Sequence, residues 1–151
     1  MGDERDRQRV HLLLLDPIAR EQHDDLMSPK TILYVEDNEL NRRIVRDLLK
    51  RTSYRLLEAP DGETSLDIVR RERPDLILMD IQLPRLSGIE VTRTLRSEPV
   101  TANTPIIAIT SFALSGDEQR AKAAGATAYM TKPYSPRDLL ALIRSLLPEN
   151  E

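Results

Sequence analysis

Four short stretches of the chain carry side chains suited to handling a charged group. Glu36-Asp37 follows the apolar run Thr31–Val35, and Asp80 follows Leu76–Met79. Thr110-Ser111 follows Ile106–Ile109, and Lys132-Pro133 comes just after Thr127–Met130. The only histidines are His11 and His23, and there is no cysteine, so residues beyond 30 cannot build a Ser-His-Asp or Cys-His arrangement. Chemistry there must use carboxylates, hydroxyls, lysine or a metal ion. Two carboxylates about 5 Å apart repel by roughly 3 kcal/mol at an effective dielectric near 20, so Glu36, Asp37 and Asp80 in one pocket call for a cation. Hard oxygen ligands suit Mg²⁺, whereas a soft metal would want His or Cys. A carboxylate oxygen can attack a phosphoryl donor directly and form an acyl phosphate. Such transfer needs positioning and charge neutralisation more than covalent help. Mg²⁺ on Asp37 and Asp80, the Lys132 ammonium and the Thr110 hydroxyl would together supply that neutralisation.

These residues can meet only if the elements around them place them on one rim. The runs TILYV, Tyr54–Glu58, LILM, IIAI and Thr127–Met130 read as five short strands. Between them, apolar residues recur at helical spacing. Leu40, Ile44, Val45, Leu48 and Leu49 mark a first helix; Leu66, Ile68 and Val69 a second; Ile89, Val91 and Leu95 a third. Ala121, Ala123 and Ala124 mark a fourth, and Leu139, Leu140, Leu142, Ile143, Leu146 and Leu147 a fifth. Asn38 can cap the first helix, Pro60-Asp61-Gly62 opens the second and Gly125 can end the fourth. Strands apolar on both faces are what a parallel sheet needs when helices cover it on two sides. Five β-α units with right-handed crossovers give an α/β, flavodoxin-like, doubly wound five-stranded parallel sheet, of which the simplest order is 2-1-3-4-5. Chemistry in such sheets sits at the carboxyl ends of the strands, and the first and third strands are neighbours there. Each residue alone has a plainer reading: Asp37 as a helix cap, Asp80 as a turn residue, Thr110 as a strand-end hydroxyl, Lys132 as a solvated charge. Together with Glu36 they make five polar residues on one edge, for which coincidence is a poor explanation.

The chain has 151 residues, 40% apolar and 31% charged, which fits one soluble globular domain. A net charge of −3 argues against direct nucleic-acid binding. No apolar run is long enough to cross a membrane, and no secretion core stands near the start, so a cytoplasmic location is expected. Residues 1–28 differ in character: a charged stretch, the short run Leu12–Leu15, then Asp16-Pro17. They are expected to form a flexible extension, with Met27 a natural start, and residues 29–151 the folded domain.

From about Lys30 to Leu147 the sequence resembles the receiver domains of two-component response regulators. The segments ILYVEDNELNRRIVRDLL, EAPDGETSLD, PDLILMDIQLPRLSGIE and TPIIAITSFALSGDEQRAKAAGATAYMTKPYSP carry the resemblance. It implies Asp80 as phosphoacceptor, with Glu36 and Asp37 as the Mg²⁺-binding acidic pair and the Gln82 backbone carbonyl as a further ligand. It also implies Thr110 as the switch hydroxyl, Tyr129 as the aromatic that follows it, Lys132 as the ion-pairing lysine, and a cis bond between Lys132 and Pro133. A Glu-Asp rather than Asp-Asp pair, and Ser65 where alanine is usual, are small departures. Gln82 and Phe112 each stand two residues beyond a site residue and are expected to flank the path of the hydrolytic water. The basic run Arg42, Arg43, Arg46, Lys50, Arg51 is expected on the exposed side of the first helix, where the family docks histidine kinases or phosphotransferases. The chain ends soon after Leu147, so output is expected through a downstream protein rather than a fused domain. Two rivals fit less well: a haloacid-dehalogenase-type phosphatase would need an aspartate at Gln82, and a flavodoxin would need a phosphate loop at Glu36-Asp37-Asn38.

Overall fold

The structure, a computed structural model, describes residues 28–111 and 116–149. Five strands and five helices alternate along the chain: β1 (Thr31–Val35), α1 (Glu39–Leu49), β2 (Arg55–Ala59), α2 (Gly62–Glu72), β3 (Leu76–Asp80), α3 (Gly88–Arg96), β4 (Ile106–Thr110), α4 (Asp117–Ala124), β5 (Ala128–Thr131) and α5 (Pro136–Leu146). The strands form one parallel sheet in the order β2-β1-β3-β4-β5, as expected. Register places Val35 beside Met79, and Asp80 beside Ile109, so β1, β3 and β4 end at one level.

Alternation along the strands divides the core. Ile32, Tyr34, Leu76, Leu78, Ile107 and Ile109 point to one face, where Val45 and Leu49 of α1 and Leu139 and Ile143 of α5 cover them. Leu33, Val35, Ile77 and Met79 point to the other, under Val69 of α2 and Val91 and Leu95 of α3. The three central strands are buried along their whole length, whereas β5 at the edge is only half-buried.

The helix starts follow their caps. Asn38 accepts from the Asn41 amide at 3.0 Å, and Asp61 accepts from the Thr64 amide at 2.7 Å. Ser87 and Glu90 form a reciprocal capping box at α3. Gly125 closes α4 in the left-handed region with φ 111°. The Lys132-Pro133 bond is cis.

Two expectations about helix faces need correction. The apolar spacing puts Leu40 and Ile44 on one face of the first helix with Val45, Leu48 and Leu49, yet they are 67% and 50% exposed. Val45 and Leu49, four residues apart, already fill the contact with the sheet, and Leu40 and Ile44 lie around the helix from that line. Ala123 of α4 is likewise exposed, while Ala121 and Ala124 face inward. The extension over residues 1–27 and Phe112 lie outside the described residues.

Candidate functional site

The β1 strand delivers Glu36 and Asp37 to the rim, and β3 delivers Asp80. One carboxylate oxygen from each lies within 4.8 Å of the others. Glu36 and Asp80 are buried and Asp37 is exposed, so the cluster has a closed floor and an open mouth. From β5's far end, Lys132 reaches back across the rim. Its Nζ donates to Glu36 Oε1 at 2.7 Å and to Asp80 Oδ2 at 3.0 Å.

One ammonium faces three carboxylates here. Burial, together with the neighbouring Glu36 charge and hydrogen bond, pushes the Asp80 carboxyl up to about 7 despite Lys132. Burial acts the same way on Glu36, but hydrogen bonds from Lys132 and from the Asn38 amide outweigh it and hold that carboxyl low. Burial disfavours the charge on Lys132 too, and its two carboxylate partners overcome this and raise it. With all four groups ionised the cluster carries a net charge of −2, which a divalent cation would balance. The donor atoms are all hard oxygens, and the mouth at Asp37 leaves room for waters, so the residues fit Mg²⁺.

Local geometry keeps these groups in place. Glu36 Oε2 accepts from the Asn38 amide at 3.1 Å, and Asp80 Oδ1 accepts from the Gln82 amide at 2.9 Å. Gly88 lies so close that a Cβ there would stand 2.1 Å from the Asp80 carbonyl oxygen, so only glycine lets α3 start against the end of β3. Arg42 donates from Nη1 to the Glu36 carbonyl at 2.7 Å and from Nη2 to Glu39 at 2.8 Å, and pairs through Nε with Glu58 at 3.3 Å. Arg46 grips Glu58 with two bonds of 2.7 Å. The expected exposed basic run is thus corrected at Arg42 and Arg46, which turn toward acidic partners on α1 and β2, while Arg43 and Lys50 remain exposed.

The β4 side is arranged differently. Thr110 is fully buried, and its hydroxyl accepts from Gln82 Nε2 at 2.7 Å while lying 3.5 Å from Asp117 Oδ2. Gln82 Oε1 in turn accepts from the Ser111 amide at 2.9 Å. The Gln82 side chain is therefore held against the end of β4. Tyr129 packs half-buried beside Ile81, Ala108 and Ala121.

The sequence matches the response regulator receiver domain family over residues 32–144. The chain belongs to that family. Among its relatives, the polar-differentiation response regulator DivK of Brucella anthropi is 45% identical over 119 residues, covering 79% of this chain and 97% of that protein. Among solved structures, the receiver domain of a Pseudomonas aeruginosa PAO1 sensor histidine kinase aligns with TM-score 0.73 and 34% identity, over 79% of this chain and 98% of that one. That receiver holds a magnesium ion in its active-site cleft. The chemotaxis protein CheY4 of Vibrio cholerae aligns with TM-score 0.74 and 30% identity, over 78% of this chain and 98% of that one. The receiver is a signalling domain, and no helix among its described residues is long and apolar enough to cross a membrane.

Four residues that touch or shape this receiver's site escaped the sequence reading: Tyr34 (whose hydroxyl donates to Glu36 Oε1), Arg42, Glu58 and Gly88. Tyr34 and Glu58 were hidden inside strands, where they read as ordinary strand residues, and Arg42 was hidden inside a basic run. Gly88, after Ser87, could be read from its type only as a place where the backbone turns or approaches another segment closely.

Proposed function

We propose that this receiver accepts a phosphoryl group on Asp80 from a histidine kinase or histidine phosphotransferase and signals through a downstream protein. The observation that carries this reading is the buried Asp80 carboxylate, with Glu36 and Asp37 within 4.8 Å and the Lys132 ammonium at 3.0 Å. Asp37, Asp80 and the Gln82 backbone carbonyl would ligate Mg²⁺, with Glu36 acting largely through water. The ion would supply charge neutralisation at the phosphoryl oxygens.

Asp80 then acts as the nucleophile. One carboxylate oxygen forms a bond to phosphorus as the phosphorus–nitrogen bond of a phosphohistidine breaks, and the imidazole leaves with the electron pair and gains a proton. Lys132, which already touches Asp80, is in reach of a phosphoryl oxygen once one is attached there. The Thr110 hydroxyl could turn from Gln82 toward the same group, and its departure from the buried position would open space beside Ala108 for Tyr129. This is a shift between two packings, driven by contacts that only the phosphorylated form makes. In this reading the domain is no enzyme acting on a separate substrate: it assists its own phosphorylation and dephosphorylation.

A phosphatase of the haloacid-dehalogenase kind would need a proton-transferring group two residues after the nucleophile. Gln82 stands there, an amide already committed to Thr110 and Ser111. We assign the receiver to residues 29–151, supported by the compact unit Lys30–Glu149, and 1–28 to an extension outside it. A cytoplasmic location follows from the proposed kinase partnership. Phosphotransfer from a panel of purified histidine kinases tests the reading. Label should appear with at least one kinase when Mg²⁺ is present, fail to appear when chelator is present from the start, and appear once Mg²⁺ is restored in excess. Transfer that persists in chelator would contradict the proposed site.

A further inference from the structure

Below the acidic cluster, Tyr34 stands in the apolar layer between the sheet and helices α1 and α5, with no exposed surface. A phenolic hydroxyl in such a place must find polar partners. It donates to Glu36 Oε1 at 3.1 Å, the same oxygen that receives Lys132. A row of bonds therefore runs from Asp80 through Lys132 and Glu36 to Tyr34 in the core.

The row answers a need created by the Glu-Asp pair. Glutamate carries one more rotatable bond than aspartate, so its carboxylate has more positions to lose when it serves a metal site. Glu36 is fixed at both oxygens: the Asn38 amide holds Oε2, while Tyr34 and Lys132 hold Oε1. Lys132 is itself engaged by Asp80, so it cannot anchor Glu36 independently of the phosphoryl site. The Tyr34 hydroxyl can, because its ring is locked in the core. Resting on the Mg²⁺ reading above, we propose that Tyr34 is a positioning residue that pre-orients Glu36 for divalent-ion capture.

The test is a double-mutant cycle read by isothermal titration of Mg²⁺ into the purified full chain. Tyr34→Phe keeps the ring and removes only the oxygen, and should weaken Mg²⁺ binding roughly three- to tenfold, the range expected for one lost hydrogen bond. Glu36→Asp draws the carboxylate back by one methylene, out of reach of Tyr34. In that background Tyr34→Phe should have no further effect, whereas a mere packing role for Tyr34 would give the same loss in both backgrounds. Equal losses, or wild-type affinity in Tyr34→Phe, would overturn the proposal. Absence of Mg²⁺ binding in the unmodified chain would instead overturn the site reading on which it rests.

Discussion

The last two helices, α4 and α5, are held very differently. Helix α5 starts on a Ser135 cap with Pro136 in its first turn, and it buries Leu139 and Ile143 completely in the layer beneath β1, β3 and β4. Helix α4 starts at Gly116, with φ 96° and no side-chain cap, and the apolar side chains it buries are the alanines Ala121 and Ala124. The site repeats this contrast. On the β1–β3 side, Glu36, Asp80 and Lys132 are cross-bonded and backed by Arg42 and Tyr34. On the β4 side, the Thr110 hydroxyl accepts from the Gln82 side chain and lies 3.5 Å from Asp117 at the start of α4. A domain that must keep a metal site rigid and move a surface on phosphorylation needs such a division. Small buried contacts make α4 the element whose packing can change at little cost.

The largest expected effect falls on the firm half. Ile143→Ala or Leu139→Ala in α5 should lower stability by about 2–5 kcal/mol, read from urea unfolding midpoints. Saturating Mg²⁺ should stabilise the receiver next most strongly, by about 2.7 kcal/mol at a hundredfold excess over Kd, and Asp37→Asn should abolish most of that gain. Without metal, Asp80→Asn removes one of three carboxylates that face a single ammonium. It should therefore leave the fold at least as stable as the unmodified chain, by about 1 kcal/mol or more. On the loose half, Ala121→Gly should cost about 1 kcal/mol in helix propensity plus up to about 0.8 kcal/mol for one buried methyl group, still less than the α5 truncations. The smallest equilibrium effect is expected for Gln82→Ala, about 0.5–1.5 kcal/mol. Its sharper signature is kinetic: amides of α4 should exchange with solvent faster than in the unmodified chain, while those of α5 keep their protection. Equal protection of α4 and α5 in the unmodified chain would erase the contrast.

The same division governs what the sequence made legible. TILYV, LILM and IIAI announced the three central strands because both of their faces are buried, and their ends located Glu36, Asp80 and Thr110. The edge strands were placed one residue early, at Tyr54–Glu58 and Thr127–Met130 against Arg55–Ala59 and Ala128–Thr131, since a half-exposed edge gives a weaker apolar pattern. Caps at Asn38 and Asp61 and the stop at Gly125 were readable from residue type. Helical periodicity overfilled the α1 face, because it records which residues are apolar and not which ones the sheet has room for; hence Leu40 and Ile44. The cross-links of the site were not readable at all. Arg42 to the Glu36 carbonyl, Gln82 to Thr110, and Tyr34 to Glu36 each depend on side-chain directions that only the assembled sheet sets.

The most direct measurement is the intact mass of the receiver after incubation with acetyl phosphate and Mg²⁺, beside an Asp80→Asn variant treated identically. The unmodified chain should gain one phosphoryl group only when Mg²⁺ is present and lose it with time after the donor is diluted away, and the variant should gain none. A variant that still takes up the phosphoryl group, or an unmodified chain that never does, would contradict the role given to Asp80.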